Sequence, residues 1–262
     1  MPRTDLILLH PPSVYDFRQQ TILYGPSSDQ VPSSPIFELY PIGMTSIAEY
    51  LERAGYRVRI VNLAVRMLRD PRFDAERLIK ELDAPVFGID LHWLLHCHGA
   101  IEIARLVKRH HPRSKLVFGG LSSTYYHREL LDYPEVDYVL RGDSTEEPLR
   151  QLIEHLLSVP AGKDVDPEKV GAIPNLTWQD AGGSVRVNPQ AYLPASLDHL
   201  EMDYRQMVRS VVQSADFLNH VPFDHWMDYP VMAALTVRGC KHNCAYCGGS
   251  AYASRLISER DA

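Results

Sequence analysis

Pro85-Val86-Phe87-Gly88-Ile89-Asp90-Leu91 and, beyond a helix-like segment, Lys115-Leu116-Val117-Phe118-Gly119-Gly120 decide the fold. Both runs are short and largely apolar, as strands covered on both faces of a sheet must be. The segment between them, Ala100–His110, sets Ile101, Ala104, Leu106 and Val107 on one helical stripe. Strand, helix and strand in that order form a crossover unit, whose two strands lie parallel.

The same alternation extends in both directions. Upstream, Asp5–Leu9 is an apolar strand stopped by Pro11-Pro12. Gly43–Ala54 has Met44, Ile47, Ala48 and Leu51 at helical spacing and ends at Gly55, a natural helix terminator. Arg57–Leu63 reads as a second strand and Phe73–Leu82 as a helix. Downstream, Arg128–Leu131 belongs to a short helix, Val136–Leu140 is a fifth strand, and Glu146–Leu157 is the closing helix. Pro148 lies in its first turn, where proline is tolerated. The expected fold class is therefore α/β: a flavodoxin-like (Rossmann-like), doubly wound, parallel five-stranded sheet in the order 2-1-3-4-5. Ligands of such sheets bind outside the carboxyl ends of the strands. Here those ends are His10–Val14, Leu91–Trp93, Gly119–Ser123 and Arg141–Asp143.

Three regions are expected: a sheet domain over 1–158, a linker with a β-hairpin over 159–230, and a further domain beginning at 231 and running to 262. Val159–Pro174 is polar and contains Pro, Gly, Lys and Asp. Asn175–Gln179 and Ser184–Asn188 flank Asp180-Ala181-Gly182-Gly183, a hairpin pattern. Leu193–Pro230 reads as irregular, and Val231–Val237 as one more strand that delivers the chain to a cysteine cluster.

Composition bounds the partners. A net charge of −6 over 262 residues gives no reason to expect nucleic acid or an anionic membrane. No apolar run reaches the ~18 residues of a membrane span. The apolar stretch after Met1-Pro2-Arg3-Thr4-Asp5 is too short for a signal peptide, so the expected location is cytoplasmic. In that compartment clustered cysteines more often bind metal than form disulfides.

That cluster reads Gly239-Cys240-Lys241-His242-Asn243-Cys244-Ala245-Tyr246-Cys247-Gly248-Gly249. Thiolates are the usual ligands of iron–sulfur clusters. Three of them leave one iron of a four-iron cluster open to a small chelating molecule. Zinc is the alternative; it usually takes four ligands, and His242 offers the fourth only from a cramped position between two cysteines.

The CxxxCxxC pattern after a strand, with an aromatic before its last cysteine, resembles the radical S-adenosylmethionine superfamily. The resemblance implies a [4Fe–4S] cluster on Cys240, Cys244 and Cys247. S-adenosylmethionine would chelate the open iron near Tyr246, Gly248 and Gly249 and yield a 5′-deoxyadenosyl radical on reduction by an external electron donor. The rest of the chain resembles the cobalamin-binding domains that precede such domains in one large subclass. The matching residues are His10-Pro11-Pro12, Pro41-Ile42-Gly43, Leu51 to Val58, Gly119-Gly120 and Val136 to Asp143. A subgroup carrying Asp90-Leu91-His92-Trp93 and His96-Cys97-His98-Gly99 is similar as well.

This resemblance implies cobalamin at the strand ends, against His10, Pro12, Ser13, Gly43, Leu91, His92, Trp93, Gly119, Gly120, Ser122, Ser123, Arg141 and Gly142. Taken singly, each glycine reads rather as a tight strand-to-helix turn; together they let backbone approach a flat ligand closely. Ser122, Ser123 and Thr124 offer hydroxyls to its tail or amides. A flavin or nucleotide is the alternative ligand, but no GxGxxG follows the first strand. The Asp-x-His-x-x-Gly motif of cobalamin domains that ligate cobalt through histidine is absent, so cobalamin is expected without a ligand from it, with His92, Trp93 or His10 facing the corrin. His92, His96, His98 and Cys97 are four potential metal ligands within seven residues, yet they read rather as a strand-end loop that contacts a cofactor, with Cys97 packed as a small hydrophobe. His110-His111 are assigned to the helix dipole, and Asp143 or Ser144 with Glu146 or Glu147 to a helix cap.

The resemblance implies a cobalamin-dependent radical enzyme that transfers a methyl group to an unactivated carbon, or another cobalamin-dependent radical reaction. A barrel of roughly 200 residues would be needed, yet only fifteen residues follow Cys247. The chain is therefore expected to be the N-terminal part of such an enzyme, with a truncated barrel. A cobalamin-binding module without catalysis is the alternative. Nothing in the sequence identifies a substrate.

Overall fold

The structure, a computed structural model, describes residues 4–19, 42–160, 165–201, 203, 205–216, 228, 236–247, 251 and 255. Strands β1 (Leu6–His10), β2 (Val58–Asn62), β3 (Val86–Asp90), β4 (Lys115–Gly119) and β5 (Tyr138–Leu140) lie parallel in the order β2-β1-β3-β4-β5. This is the expected flavodoxin-like arrangement. The hairpin does more than link domains. Its strands, β6 (Leu176–Gln179) and β7 (Val185–Val187), add antiparallel to β5 and make a seven-stranded sheet. Asp180 shapes the turn, accepting the backbone N–H groups of Gly182 and Ser184, each at 2.9 Å.

Alternation along each strand divides the core into two layers. Ile7, Leu9, Phe87, Ile89, Leu116 and Phe118 face α2 (Leu63–Arg69), α3 (Ala75–Glu81) and α4 (Cys97–His110). Leu6, Leu8, Val86, Val117, Tyr138 and Leu140 face α1 (Ile42–Arg53), α6 (Glu146–Ser158) and α7 (Pro167–Ala172). The buried stripe of α4 contains Ile101, Ala104, Leu106 and Val107, the residues its periodicity indicates. Among the described residues, no helix is long and apolar enough to cross a membrane.

Several elements differ from the sequence expectation. Asn62 ends β2 and caps α2, accepting the N–H of Val65 at 3.0 Å, so the stretch after the second strand is helical. α5 (Leu121–Tyr125) occupies the turn after β4. α7 lies in the stretch expected to be a linker, with Asp166 as its cap and Pro167 in its first turn. α8 (Arg205–Ser214) lies in the stretch read as irregular. Its end is held by Asp216, which is buried and accepts bonds from Arg59 at 2.7 and 3.0 Å and from Arg66. The expected strand Val231–Val237 falls mostly outside the described residues; 236 and 237 are in no strand. His110 and His111 do more than face solvent at the helix end. His110 lies 2.9 Å from Glu76, and His111 bonds to the Ile79 carbonyl at 2.6 Å and stacks on Phe87.

Glu147 braces α6 to α1. Arg150 donates to it at 2.7 and 2.8 Å, and Tyr50 of α1 donates at 2.8 Å. The Arg150 bonds, with lesser help from Gln151 and Tyr50, hold its carboxyl at about 2 against an ordinary 4.5. The folded value lies below the unfolded one, so this contribution to stability is complete above about pH 4.5 and is lost as pH falls towards 2. Glu147→Gln should therefore flatten the stability profile in that window and leave the profile above it parallel to that of the unsubstituted chain, as urea denaturation at a series of pH values would show. An unchanged acid limb would rule out the brace.

Candidate functional site

Parallel sheets present strand ends, helix starts and crossing loops along one edge, where a ligand meets backbone from several strands at once. At that edge lies a cleft of about 560 Å³. Its floor comes from strand residues Leu8, Gly88, Ile89, Val117, Phe118 and Leu140. One side is the start of α1, with Gly43, Met44 and Ile47. The turns after β3, β4 and β5 contribute His92, Trp93, Gly119, Gly120 and Gly142. The start of α6 contributes Glu146 and Leu149. The remaining wall is Arg238, Gly239 and Cys240.

Seven of the residues assigned to cobalamin from the sequence line this cleft: His10, Gly43, His92, Trp93, Gly119, Gly120 and Gly142. A Cβ on Gly43 or Gly119 would meet no atom within 4 Å, so both leave open space. Gly120 and Gly142 have φ of +108° and +100°, which side-chain-bearing residues rarely adopt. His10 is buried at the floor, its Nδ1 3.4 Å from Asp90 Oδ2 and its ring 5.3 Å from that of His96. Trp93 is half exposed and packs edge-on to His92.

The other six stand behind the walls. Pro12 and Ser13 lie against α4, where the Ser13 carbonyl accepts the Gly99 N–H at 3.1 Å. Leu91 is in the core, and its carbonyl accepts the N–H groups of Ser122 and Ser123 at the start of α5. The hydroxyls of Ser122, Ser123 and Thr124 donate to the carbonyls of His92, Gly119 and Gly120, each at 3.0 Å. Thr124 also accepts the Gly142 N–H at 2.9 Å, tying two cleft turns together. Arg141 is buried and donates to the Asn188 carbonyl. These bonds engage the serine hydroxyls with the protein's own loops.

Residues 236–247 form an irregular loop. Cys240, Cys244 and Cys247 are exposed, and none is in a disulfide. The Cys247 N–H meets the Cys244 carbonyl at 3.3 Å, and the Ala251 N–H meets the His242 carbonyl at 3.1 Å. Burial and then the charge of Cys247 push the phenol of Tyr125, at the end of α5, above its ordinary value. Tyr246 is fully exposed; Gly248 and Gly249 lie outside the described residues. Among the described residues, no three His, Cys, Asp or Glu side chains are gathered closely enough to hold a metal ion. His92, His96, His98 and Cys97 have separate surroundings. His96 is buried beside His10, His98 Nδ1 accepts the Tyr15 N–H at 3.3 Å, and burial raises the Cys97 thiol.

Arg238, Ser46 and Glu146 escaped the sequence reading as a group. Glu146 does not cap α6 as expected. Thr145 occupies the cap position, without a side-chain bond, while buried Glu146 accepts Arg238 at 2.7 and 3.0 Å. Nothing in a single sequence links a glutamate at a helix start to an arginine 92 positions later.

Comparison with known proteins gives distant relatives. The chain is 25% identical over 263 residues to cytidylyl-2-hydroxyethylphosphonate methyltransferase of Streptomyces wedmorensis, covering 87% of this chain and 47% of that protein. It is 27% identical over 222 residues to hopanoid C-3 methylase of Methylococcus capsulatus, covering 83% of this chain and 37% of that one. The chain thus spans less than half the length of these relatives. Among solved structures, the radical S-adenosylmethionine methyltransferase TsrM of Kitasatospora setae matches at a TM-score of 0.49 and 19% identity, over 71% of this chain and 30% of that one. Residues 34–152, which run from ahead of α1 into α6 and supply most of the cleft, match the family of the B12 binding domain.

Proposed function

We propose that this chain provides the cobalamin site and the cluster loop of a cobalamin-dependent radical S-adenosylmethionine enzyme that transfers a methyl group to an unactivated carbon. The observation that carries this reading is a juxtaposition: Cys240, first of the three motif cysteines, lines the same cleft as the strand-end glycines. The fit of cobalamin rests on the open space at Gly43 and Gly119, on a floor of apolar strand residues, and on a mouth beside half-exposed Trp93. Gly43 and Gly119 would admit its ring against backbone, while Gly120 and Gly142, at positive φ, and Ser122, Ser123, Thr124 and Arg141 would hold the surrounding turns in place. His10, backed by Asp90, would sit beneath it.

The cysteines fit a cluster by donor chemistry: three exposed thiols spaced four and three residues apart on one loop. Their sulfurs are not gathered beforehand, so the loop would close around its metal as ligation and local folding proceed together. Tyr246, Gly248 and Gly249 would border S-adenosylmethionine. When bound, cobalamin supplies a methyl carrier, and the cluster with S-adenosylmethionine supplies one-electron chemistry drawn from an external donor. Methyl transfer is favoured over other cobalamin-dependent radical chemistry because both curated relatives are named for it.

The cleft is tested by anaerobic titration with hydroxocobalamin, followed by absorbance. Gly119→Val places a branched side chain where a Cβ has open space, at an ordinary backbone conformation. It should weaken binding by roughly tenfold or more, about 1.4 kcal/mol, with the melting temperature unchanged. Undiminished binding would mean that the ligand lies elsewhere. A chain that takes up cobalamin but no iron or sulfide under reconstitution would be a binding module.

A further inference from the structure

The cysteine loop touches the sheet domain through a built anchor. The Arg238 side chain is largely covered and the Glu146 side chain almost completely so. Arg238 Nη2 lies 2.7 Å from Glu146 Oε1 and donates to Ser46 Oγ at 2.8 Å. Its Nη1 donates to Glu146 Oε2 at 3.0 Å and to Ser144 Oγ at 3.3 Å. Ser46 Oγ is itself 2.8 Å from Glu146 Oε1 and 3.0 Å from the Gly43 carbonyl, at the cleft wall. One guanidinium thus joins the start of α1, the turn after β5 and the start of α6, two residues before the first motif cysteine.

A planar five-donor fork suits such convergence, which a lysine ammonium would meet only in part. Desolvation offsets much of the attraction in an ion pair of this burial, but separating its partners leaves a buried charge uncompensated, so the two segments are held together. The cysteines of the loop are exposed and its backbone over 236–247 is irregular. Fixing Arg238 therefore fixes where Cys240 enters the cleft wall.

We propose that Arg238, gripped by Glu146 and Ser46, is a positioning residue that holds the cysteine loop at the cleft mouth, so that cluster assembly and corrin binding are thermodynamically coupled. The coupling rests on the function proposed above; the grip itself does not. A ligand bound on one side of a shared wall changes affinity on the other side, and the change is reciprocal.

Two measurements on the chain test this. Hydrogen exchange of the cofactor-free protein reads the grip. Amides of 236–247 should exchange roughly tenfold or more faster in Arg238→Gln, while those of β1 and β3 keep their protection. Hydroxocobalamin titration before and after anaerobic reconstitution with iron and sulfide reads the coupling. In the unsubstituted chain the dissociation constant should change by about fivefold or more on reconstitution. In Arg238→Gln the ratio should fall to near one with the cluster still assembled, and Arg238→Lys should restore part of it.

The Arg238→Gln chain leaves Glu146 buried without its guanidinium, facing Ser46 Oγ at 2.8 Å and His199 Nε2 at 4.0 Å. The doubly neutral Glu146→Gln, Arg238→Gln chain therefore carries the same test if the single variant does not fold. Loop exchange unaffected by either variant, or the same affinity with and without the cluster in the unsubstituted chain, overturns the proposal. If the unsubstituted chain takes up no cobalamin while Arg238→Gln loosens the loop, the cobalamin function and the coupling fail and only the grip stands.

Discussion

Gly99→Ala should lower the unfolding free energy by about 3 kcal/mol. Gly99 lies in the first turn of α4, where the segment following β1 crosses it. A Cβ there would stand 1.7 Å from the Pro12 carbonyl oxygen and 2.8 Å from its carbon. Both are backbone atoms, so no side-chain rotation relieves the overlap. The helix has little freedom to withdraw, because Ala100, Ile103, Ala104 and Val107 are fully buried beneath it. The crossing segment cannot rise without breaking the 3.1 Å bond from the Gly99 N–H to the Ser13 carbonyl, which satisfies a first-turn donor of the helix. Against this, alanine gains at most about 1 kcal/mol of helix propensity over glycine. Urea denaturation of the two chains measures the difference; a change under about 0.5 kcal/mol would show that the crossing relaxes freely. The variant should also disturb the cleft, because His10 lies at the end of the strand that feeds this segment.

Replacing any one of Cys240, Cys244 and Cys247 by alanine should lower the iron retained after anaerobic reconstitution by roughly tenfold or more. Changes to residues that merely support metal ligands already cost 10–100-fold in affinity, and here a ligand itself is removed. The far-ultraviolet circular dichroism should not move, since all three side chains are exposed on an irregular loop. Cys97→Ala is the control. Burial raises that thiol, which disfavours the thiolate a metal requires, so its loss should leave the iron content intact. Equal iron in a loop variant and the unsubstituted chain would refute the cluster assignment. Stoichiometric zinc that disappears with His242→Ala would replace it with a zinc site.

The order of the parallel strands and the two-layered core were legible because they follow from local patterns. Apolar runs such as Val86 to Ile89 have few choices but a central strand, and the stripe of α4 has one side to bury. The cysteine spacing was legible for a different reason: it lies within eight consecutive residues. The same local reading undercounted helices where caps were the signal, at Asn62 and at Asp166-Pro167. It placed the hairpin outside the sheet because the edge that a strand joins is no property of the strand itself.

The candidate site divides along the same line. Glycines, histidines and serines after strand ends could be named from sequence because the topology puts all strand ends on one edge. Which of them face the cleft was decided only by packing. Ser122 and Ser123 turn inward to neighbouring carbonyls, and Ser13 sits under α4. The bond between Glu146 and Arg238 was beyond sequence altogether, since two charges distant in the chain carry no mark of their pairing. Sequence by itself determined the sheet, the edge on which its strand ends gather and the cysteine spacing. Tertiary structure alone brought Cys240 to that edge, because contact between distant segments depends on how whole layers pack.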